Sequence, residues 1–373
     1  MIGRRTGVCA MAAGAFGAWL PWAQATSTTH AKIGLVLPLT GVQSNVAKEL
    51  LTGYQLAAAQ ARRSGVELEF VVEDDRSDPS RTADAVRKLG LDRGIVAVSG
   101  VVGTPHAMAA IPEARIAQLP LVGIRSGASQ LRDGKGYVFH LRASYEAELN
   151  RMLRMLADTT PALSVVYSQD SFGSSALAHL QRQAAKMGVR LASSIPSDRN
   201  GADVVSTVRR AVHPSVHAQA LVLLLITRPA VQGLRVAREA GFYGPTFTMS
   251  FTAGGELLSA GDVVRGLGLV SAFPLPRASV DPLARSFRKE AEALGTGEIA
   301  SSLTALEGFV YGSVLAAAVG RCGCGTDREL LMSALTRRPG VRLGADTLDF
   351  DSQLVGRTPL QVVYFDRQGA LRA

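Results

Sequence analysis

The chain has 373 residues, 47% hydrophobic and 19% charged, with 40 Lys and Arg against 31 Asp and Glu for a formal charge of +9. At roughly 150 residues per domain the length predicts about two domains, and the composition excludes a disordered chain. The basic residues form no arm or stripe, so nucleic acid is not an expected partner, and no uninterrupted apolar run reaches the roughly 20 residues of a membrane helix.

Residues 1–25 read as an address. Arg4-Arg5, the apolar stretch 8–20 and Ala23-Gln24-Ala25 are the charged, hydrophobic and cleavage-site parts of a secretory signal peptide, with cutting expected after Ala25. The apolar part is too short, and too close to that site, for an uncleaved anchor. Cys9 lies too early for a lipoprotein site. Arg4-Arg5-Thr6-Gly7 lacks the hydrophobic residues that folded export needs, so ordinary unfolded secretion is expected.

From Lys32 the pattern is strand, turn, helix, repeated. A strand at 33–37 meets a turn at 38–41 and a helix near 46–63 closed by Gly65. The strand 67–72 leads through Glu73-Asp74-Asp75 to Asp78-Pro79, a cap acceptor with proline at the first helical position, and Gly90 ends that helix. A strand at 95–99 is followed by Thr104-Pro105, the same device, then a helix at 107–117 and a strand at 121–124. After a helix at 145–157 the rhythm restarts: strand 163–168, helix 173–187, strand 191–195, helix 202–212, strand 220–226, helix 229–240 and strand 246–249. A strand as apolar as Leu221-Val222-Leu223-Leu224-Leu225-Ile226 fits a sheet covered by helices on both faces. Helices follow at 282–294, 303–319 and 327–337, the last with capping-box spacing from Thr326 to Glu329, and 347–350 with 360–365 reads as a hairpin. The fold class is α/β: two doubly wound parallel-sheet lobes with a hinge and a central cleft.

Catalytic motifs fail on inspection. The stretch from Gly127 to Gly136 has the wrong spacing for a phosphate loop, and Pro38-Leu39-Thr40-Gly41 lacks the three glycines of a dinucleotide site. There is no Gly-x-Ser-x-Gly elbow. His213 and His217 have zinc-like spacing, but Pro214 between them indicates a helix end or loop. Glu73-Asp74-Asp75 reads more simply as solvated loop acids than as a magnesium pocket, and Glu146 and Glu148 point in different directions on a helix. Without Cys9 the cysteines are Cys322 and Cys324, either a small strained ring or, more simply, an incidental loop pair. No cofactor, no metal and no enzymatic activity are expected.

Three segments carry a resemblance: Pro38-Leu39-Thr40-Gly41 with Gly53-Tyr54, Glu73-Asp74-Asp75-Arg76-Ser77-Asp78-Pro79, and Ser126-Gly127-Ala128-Ser129. From about Lys32 onward the chain resembles the periplasmic leucine/isoleucine/valine-binding family, the extracytoplasmic substrate-binding components of ABC transporters with the type I periplasmic binding fold. The resemblance implies crossovers near 139–143, 269–273 and 344–350. It divides the chain into an N-terminal lobe of 32–140 plus 272–344 and a C-terminal lobe of 141–271 plus 345–373.

Ligands of open α/β sheets sit outside the carboxyl ends of the strands. There, Thr104 is expected to cap its helix, leaving free N–H groups and the positive helix end as a small anion site. The resemblance implies that Gly103, Thr104, Gly127, Ala128 and Ser129 grip a ligand carboxylate. Its competing role is as a helix cap alone. Arg125-Ser126 offers a bidentate donor at the next strand end, unless Arg125 is a surface residue. Phe172 occupies the place where the resemblance expects an aromatic from the opposite lobe, with core packing as the competing role, and Thr227, Phe251 and Thr252 are further candidates. Amino-acid-binding members offer a carboxylate near Thr252, where this chain has no acid; Glu256 is close only in sequence. Their first-loop aromatic is Val46 here. These departures favour an acid without an α-amino group, while a branched-chain amino acid-like ligand stays open.

The expected function is therefore an extracytoplasmic solute-binding protein that captures a small carboxylate-bearing ligand by lobe closure and delivers it to a membrane permease. A periplasmic ligand sensor of the same fold, acting on a receptor or regulator, is the alternative. A secreted metal-dependent hydrolase is the more distant one.

Overall fold

The computed structural model describes residues 28–134, 137–157, 159–160, 162–277, 279–323, 325–343, 346–356, 360–368 and 370–372. The signal-peptide reading of 1–25 and Cys324 lie outside the described residues.

In the first half, β1 (Thr29–Leu37), α1 (Ser44–Arg62), β2 (Val66–Asp74), α2 (Pro79–Leu91), β3 (Ile95–Ser99), α3 (Thr104–Ile116), β4 (Leu121–Val122) and β5 (Val138–Phe139) alternate. Among the described residues their strands form one parallel sheet in the order β2-β1-β3-β4-β5. β3 is buried along its whole length, as a strand covered on both faces must be. In α1 the buried residues Val46, Leu50, Tyr54, Ala57 and Ala61 recur at helical spacing and face the core. α2 begins as its sequence requires: Pro79 fills the first turn and the Asp78 carboxylate accepts from the Ser80 N–H at 2.8 Å.

The second half continues with α4 (Tyr145–Leu156), β6 (Ala162–Ser168), α5 (Ser171–Lys186), β7 (Arg190–Ser197), α6 (Val204–Ala211), β8 (Ala220–Leu224), α7 (Thr227–Glu239), β9 (Thr246–Met249), α8 (Gly255–Leu258) and β10 (Leu267–Ser271). α9 (Pro282–Ala293), α10 (Leu303–Cys322), α11 (Arg328–Thr336), β11 (Val341–Leu343), β12 (Asp346–Leu348), β13 (Gln361–Phe365) and β14 (Leu371–Arg372) complete it. Among the described residues the second sheet runs β14-β13-β10-β9-β8-β6-β7, antiparallel only at β10/β13 and β13/β14.

α10 packs along α1 on the first sheet's side. It is long and apolar enough to cross a membrane, but it is mostly buried and is a core helix. Their backbones approach so closely that a methyl group at Gly53 would collide with the Ala305 carbonyl oxygen, and one at Gly308 with that of Leu50. The chain thus leaves the first sheet after β5, returns to it through α9 and α10, and leaves again for β13.

Two local expectations are corrected. The hairpin of 347–350 with 360–365 does not form: β12 pairs with β11, while β13 finds a larger apolar partner in β10. β10 ends at Ser271, within the 269–273 range of the second expected crossover. α11 is capped by Asp327, whose carboxylate accepts from the Leu330 N–H at 2.8 Å, one residue after Thr326.

Candidate functional site

The carboxyl ends of β3 and β4 meet those of β6, β7 and β9 across the line between the sheets. Gly103, not Thr104, holds the N-cap of α3, with a φ of 105° that favours glycine. Thr104 is the first helical residue and is fully buried. Its hydroxyl shares a 2.9 Å hydrogen bond with that of Ser126, which also accepts from the Ala128 N–H at 3.3 Å. The loop is fastened to its neighbour by the Gly103 N–H, which donates to the Arg125 carbonyl at 3.1 Å. Gly127 packs under Tyr145, where a Cβ would lie 2.7 Å from the ring, and Ala128 is buried. Ser129, directly after Ala128, is exposed and opens a short 3₁₀ turn.

The opposite lobe supplies aromatics. Phe172, in the first turn of α5, and Phe251, in the turn after β9, have ring centroids 5.1 Å apart, and Phe172 lies 5.1 Å from Tyr145. All three are buried, and the two halves are closed on each other: a Cβ at Gly103 would lie 3.9 Å from Phe251 Cζ. Val46 and Thr227 approach from opposite lobes on either side of Gly254.

Arg125 does not face an open site. Its Nε donates to Glu307 at 2.9 Å and its Nη1 to the Phe251 carbonyl at 2.9 Å, while the guanidinium stands 5.0 Å from the centre of the Phe251 ring. Glu307 is shared with Arg142 at 2.9 Å and accepts from the Tyr311 hydroxyl. Arg142 also donates to Ser250, which is held by Glu148 through its N–H at 2.9 Å and its hydroxyl at 2.6 Å. Burial raises the pKa of Glu148, against the opposing pull of Arg142. Arg125 is thus part of a buried ionic cluster, because its partner Glu307 on α10 satisfies it. Thr252 is likewise committed: its hydroxyl donates to the Leu225 carbonyl at 2.8 Å within its own sheet. Glu256 sits at the rim, accepting from Asn45 at 2.6 Å and from Arg228 at 3.2 Å.

Two residues that sequence reasoning passed over lie against Gly103. A Cβ there would be 3.2 Å from His106 Nδ1 and 3.3 Å from Arg199 Nη2. His106 is fully buried on α3, and neither ring nitrogen makes a hydrogen bond of good geometry among the described residues. Burial, helped by the nearby Arg199 charge, lowers its pKa to about 4. Arg199 comes from the loop after β7, where Asp203 accepts from Ser197 at 2.7 Å and from the Asp198 N–H at 2.8 Å. Its Nη1 pairs with Asp170, which also caps α5 through the Gly173 N–H at 3.0 Å, while its Nη2 is buried without a partner among the described residues. The rule that points to Thr104 applies equally to Ser197-Asp198-Arg199, another strand end.

Comparison with known proteins completes the description. Residues 30–365 match the family model described as periplasmic binding protein. No curated protein sequence matches the chain. Among solved structures, a substrate-binding periplasmic protein from Ralstonia solanacearum is 28% identical, with a TM-score of 0.84 over 91% of this chain and 99% of its own. A possible leucine/isoleucine/valine-binding protein from Rhodopirellula baltica is 23% identical, with a TM-score of 0.85 over 94% and 97%. A solute-binding protein of an ABC transporter from R. palustris, in complex with 4-hydroxybenzoate, is 14% identical, with a TM-score of 0.78 over 92% and 95%.

Proposed function

The chain belongs to the periplasmic binding protein family, and from that premise we propose that it is the solute-binding component of an ABC transporter, capturing a small carboxylate-bearing molecule and delivering it to a membrane permease. Lobes of 32–140 with 272–344 and 141–271 with 345–373 are the bodies that open and close. No bond is made or broken. The observation that carries this reading is the juxtaposition at Gly103: a helix N-terminus with a buried Thr104–Ser126 hydroxyl pair on one side, and Phe172 and Phe251 on the other. The first feature suits a carboxylate and the second an apolar body. Closure is favoured only by contacts made to both lobes at once, which is how a ligand would drive it. Export to the periplasm by the segment 1–25 completes the proposal.

The test is a thermal-melt screen of residues 26–373 against 4-hydroxybenzoate, aliphatic acids, amino acids and neutral amides. A ligand at about 100 times its Kd adds about 2.7 kcal/mol, a shift of several degrees. A carboxylate hit supports the reading. A hit confined to neutral amides, or none in any class, contradicts it.

A further inference from the structure

We infer that Arg199 is the second-lobe half of the ligand clamp: the ligand's acid group bridges Arg199 Nη2 and the first turn of α3, and the ligand is an organic acid without an α-ammonium group. This rests on the solute-binding reading above and assigns its specificity. The two halves of the clamp converge on one point, since Arg199 Nη2 and His106 Nδ1 both lie within 3.3 Å of the position a Gly103 side chain would take. Both atoms are buried and make no hydrogen bond of good geometry among the described residues, although buried polar groups are normally satisfied. One anionic oxygen pair placed there accepts from Arg199, from His106 in the tautomer that carries its proton on Nδ1, and from the first-turn N–H groups left once Gly103 has donated to Arg125, at the end of a helix whose dipole favours negative charge.

The acids around this point already have partners, so none is left free to pair directly with an ammonium. Asp170 is held by Arg199 and the Gly173 N–H. Asp78 caps α2, and Asp75 accepts from the Ser77 N–H and from Thr82, each at 2.9 Å. Glu148 and Glu307 are tied up in the buried ionic cluster. An α-ammonium would face Arg199 and the positive end of α3 with no free carboxylate as a direct partner, and like charges brought together in a closed site oppose binding.

Isothermal titration of residues 26–373 with three probes of one skeleton decides the matter: 4-methylpentanoate, leucine and 4-methylpentanamide, with 4-hydroxybenzoate as a fourth. The wild type is expected to bind an acid at least about tenfold more tightly than leucine or the amide. Arg199→Gln is expected to lose about 10- to 100-fold for the acid, the worth of a hydrogen bond to a charged group, and less than about twofold for the amide. Arg199→Lys keeps the charge beside Asp170 and so keeps the fold; it is expected to retain acid preference with reduced affinity. Equal loss for acid and amide in both variants, or acid affinity unchanged in Arg199→Gln, overturns the clamp while leaving the solute-binding reading intact. Leucine binding more tightly than 4-methylpentanoate overturns the ligand class. Absence of binding by all four probes, leucine included, brings down both.

Discussion

Arg125 Nη1 donates to the carbonyl oxygen of Phe251 at 2.9 Å, so the segment after β4 in one lobe is tied directly to the turn after β9 in the other. The same guanidinium is anchored on α10 by Glu307, and that carboxylate also receives Arg142. Two cations and one anion, all with side chains no more than 3% exposed, form a buried ionic cluster between the two sheets.

Removing the anion leaves two buried cations facing each other. Glu307→Gln is expected to cost about 3–5 kcal/mol of stability, the usual penalty for breaking a buried pair. Urea unfolding followed by circular dichroism measures it. A change below about 0.5 kcal/mol, typical of a surface substitution, contradicts a structural role for this cluster.

The contact of α1 with α10 depends on absent side chains. Gly53→Ala places a methyl group on the Ala305 backbone and is expected to cost about 1–3 kcal/mol, as overpacking does. Gly297→Ala, which meets nothing within 4 Å, is the matched control and should stay within about 0.5 kcal/mol. Equal effects in the two variants would show that the helices can separate without cost.

Two buried groups give the stability opposite pH dependences. His106, with its pKa at about 4 against an ordinary 6.5, contributes stability that is complete above 6.5 and lost as pH falls through about 4. Asp75, raised by burial to about 6 from 3.8, contributes stability that is complete below 3.8 and lost as pH rises through about 6. Between about pH 4 and pH 7, the wild type should therefore gain on His106→Gln as pH rises, while Asp75→Asn gains on the wild type. Melting curves of the three proteins across that range check both signs, and parallel curves contradict them.

Within the first-lobe half of the site, Thr104→Ala breaks the hydroxyl pair with Ser126, whereas Ser129→Ala alters an exposed residue. The first is expected to weaken acid binding about tenfold and the second less than about twofold, by titration calorimetry. Equal losses would give Ser129 the same weight as Thr104.

The alternation of strands and helices was legible because its signals are local. The run from Leu221 to Ile226 needs no distant partner to declare a covered strand, and Asp78-Pro79 declares a helix start by itself. Positions shifted by one residue where two capping residues adjoin: a glycine with φ of 105° displaced Thr104 at α3, and Asp327 displaced Thr326 at α11. The site was harder. Arg125 looks free in sequence because the carboxylate that satisfies it lies 182 residues away, and no periodicity records such a pairing. Arg199 carried the right local signal, a basic residue at a strand end, but its meaning depends on Asp170 taking only one of its nitrogens.

Uptake measures the central claim most directly. Cells of the source organism lacking this chain, and the same cells resupplied with it, are given the radiolabelled acid that gives the largest melting shift. Solute capture for a permease predicts that uptake falls to background in the deletion strain and returns on resupply. Intact uptake with loss of the transcriptional response to that acid would contradict transport and make the protein a sensor.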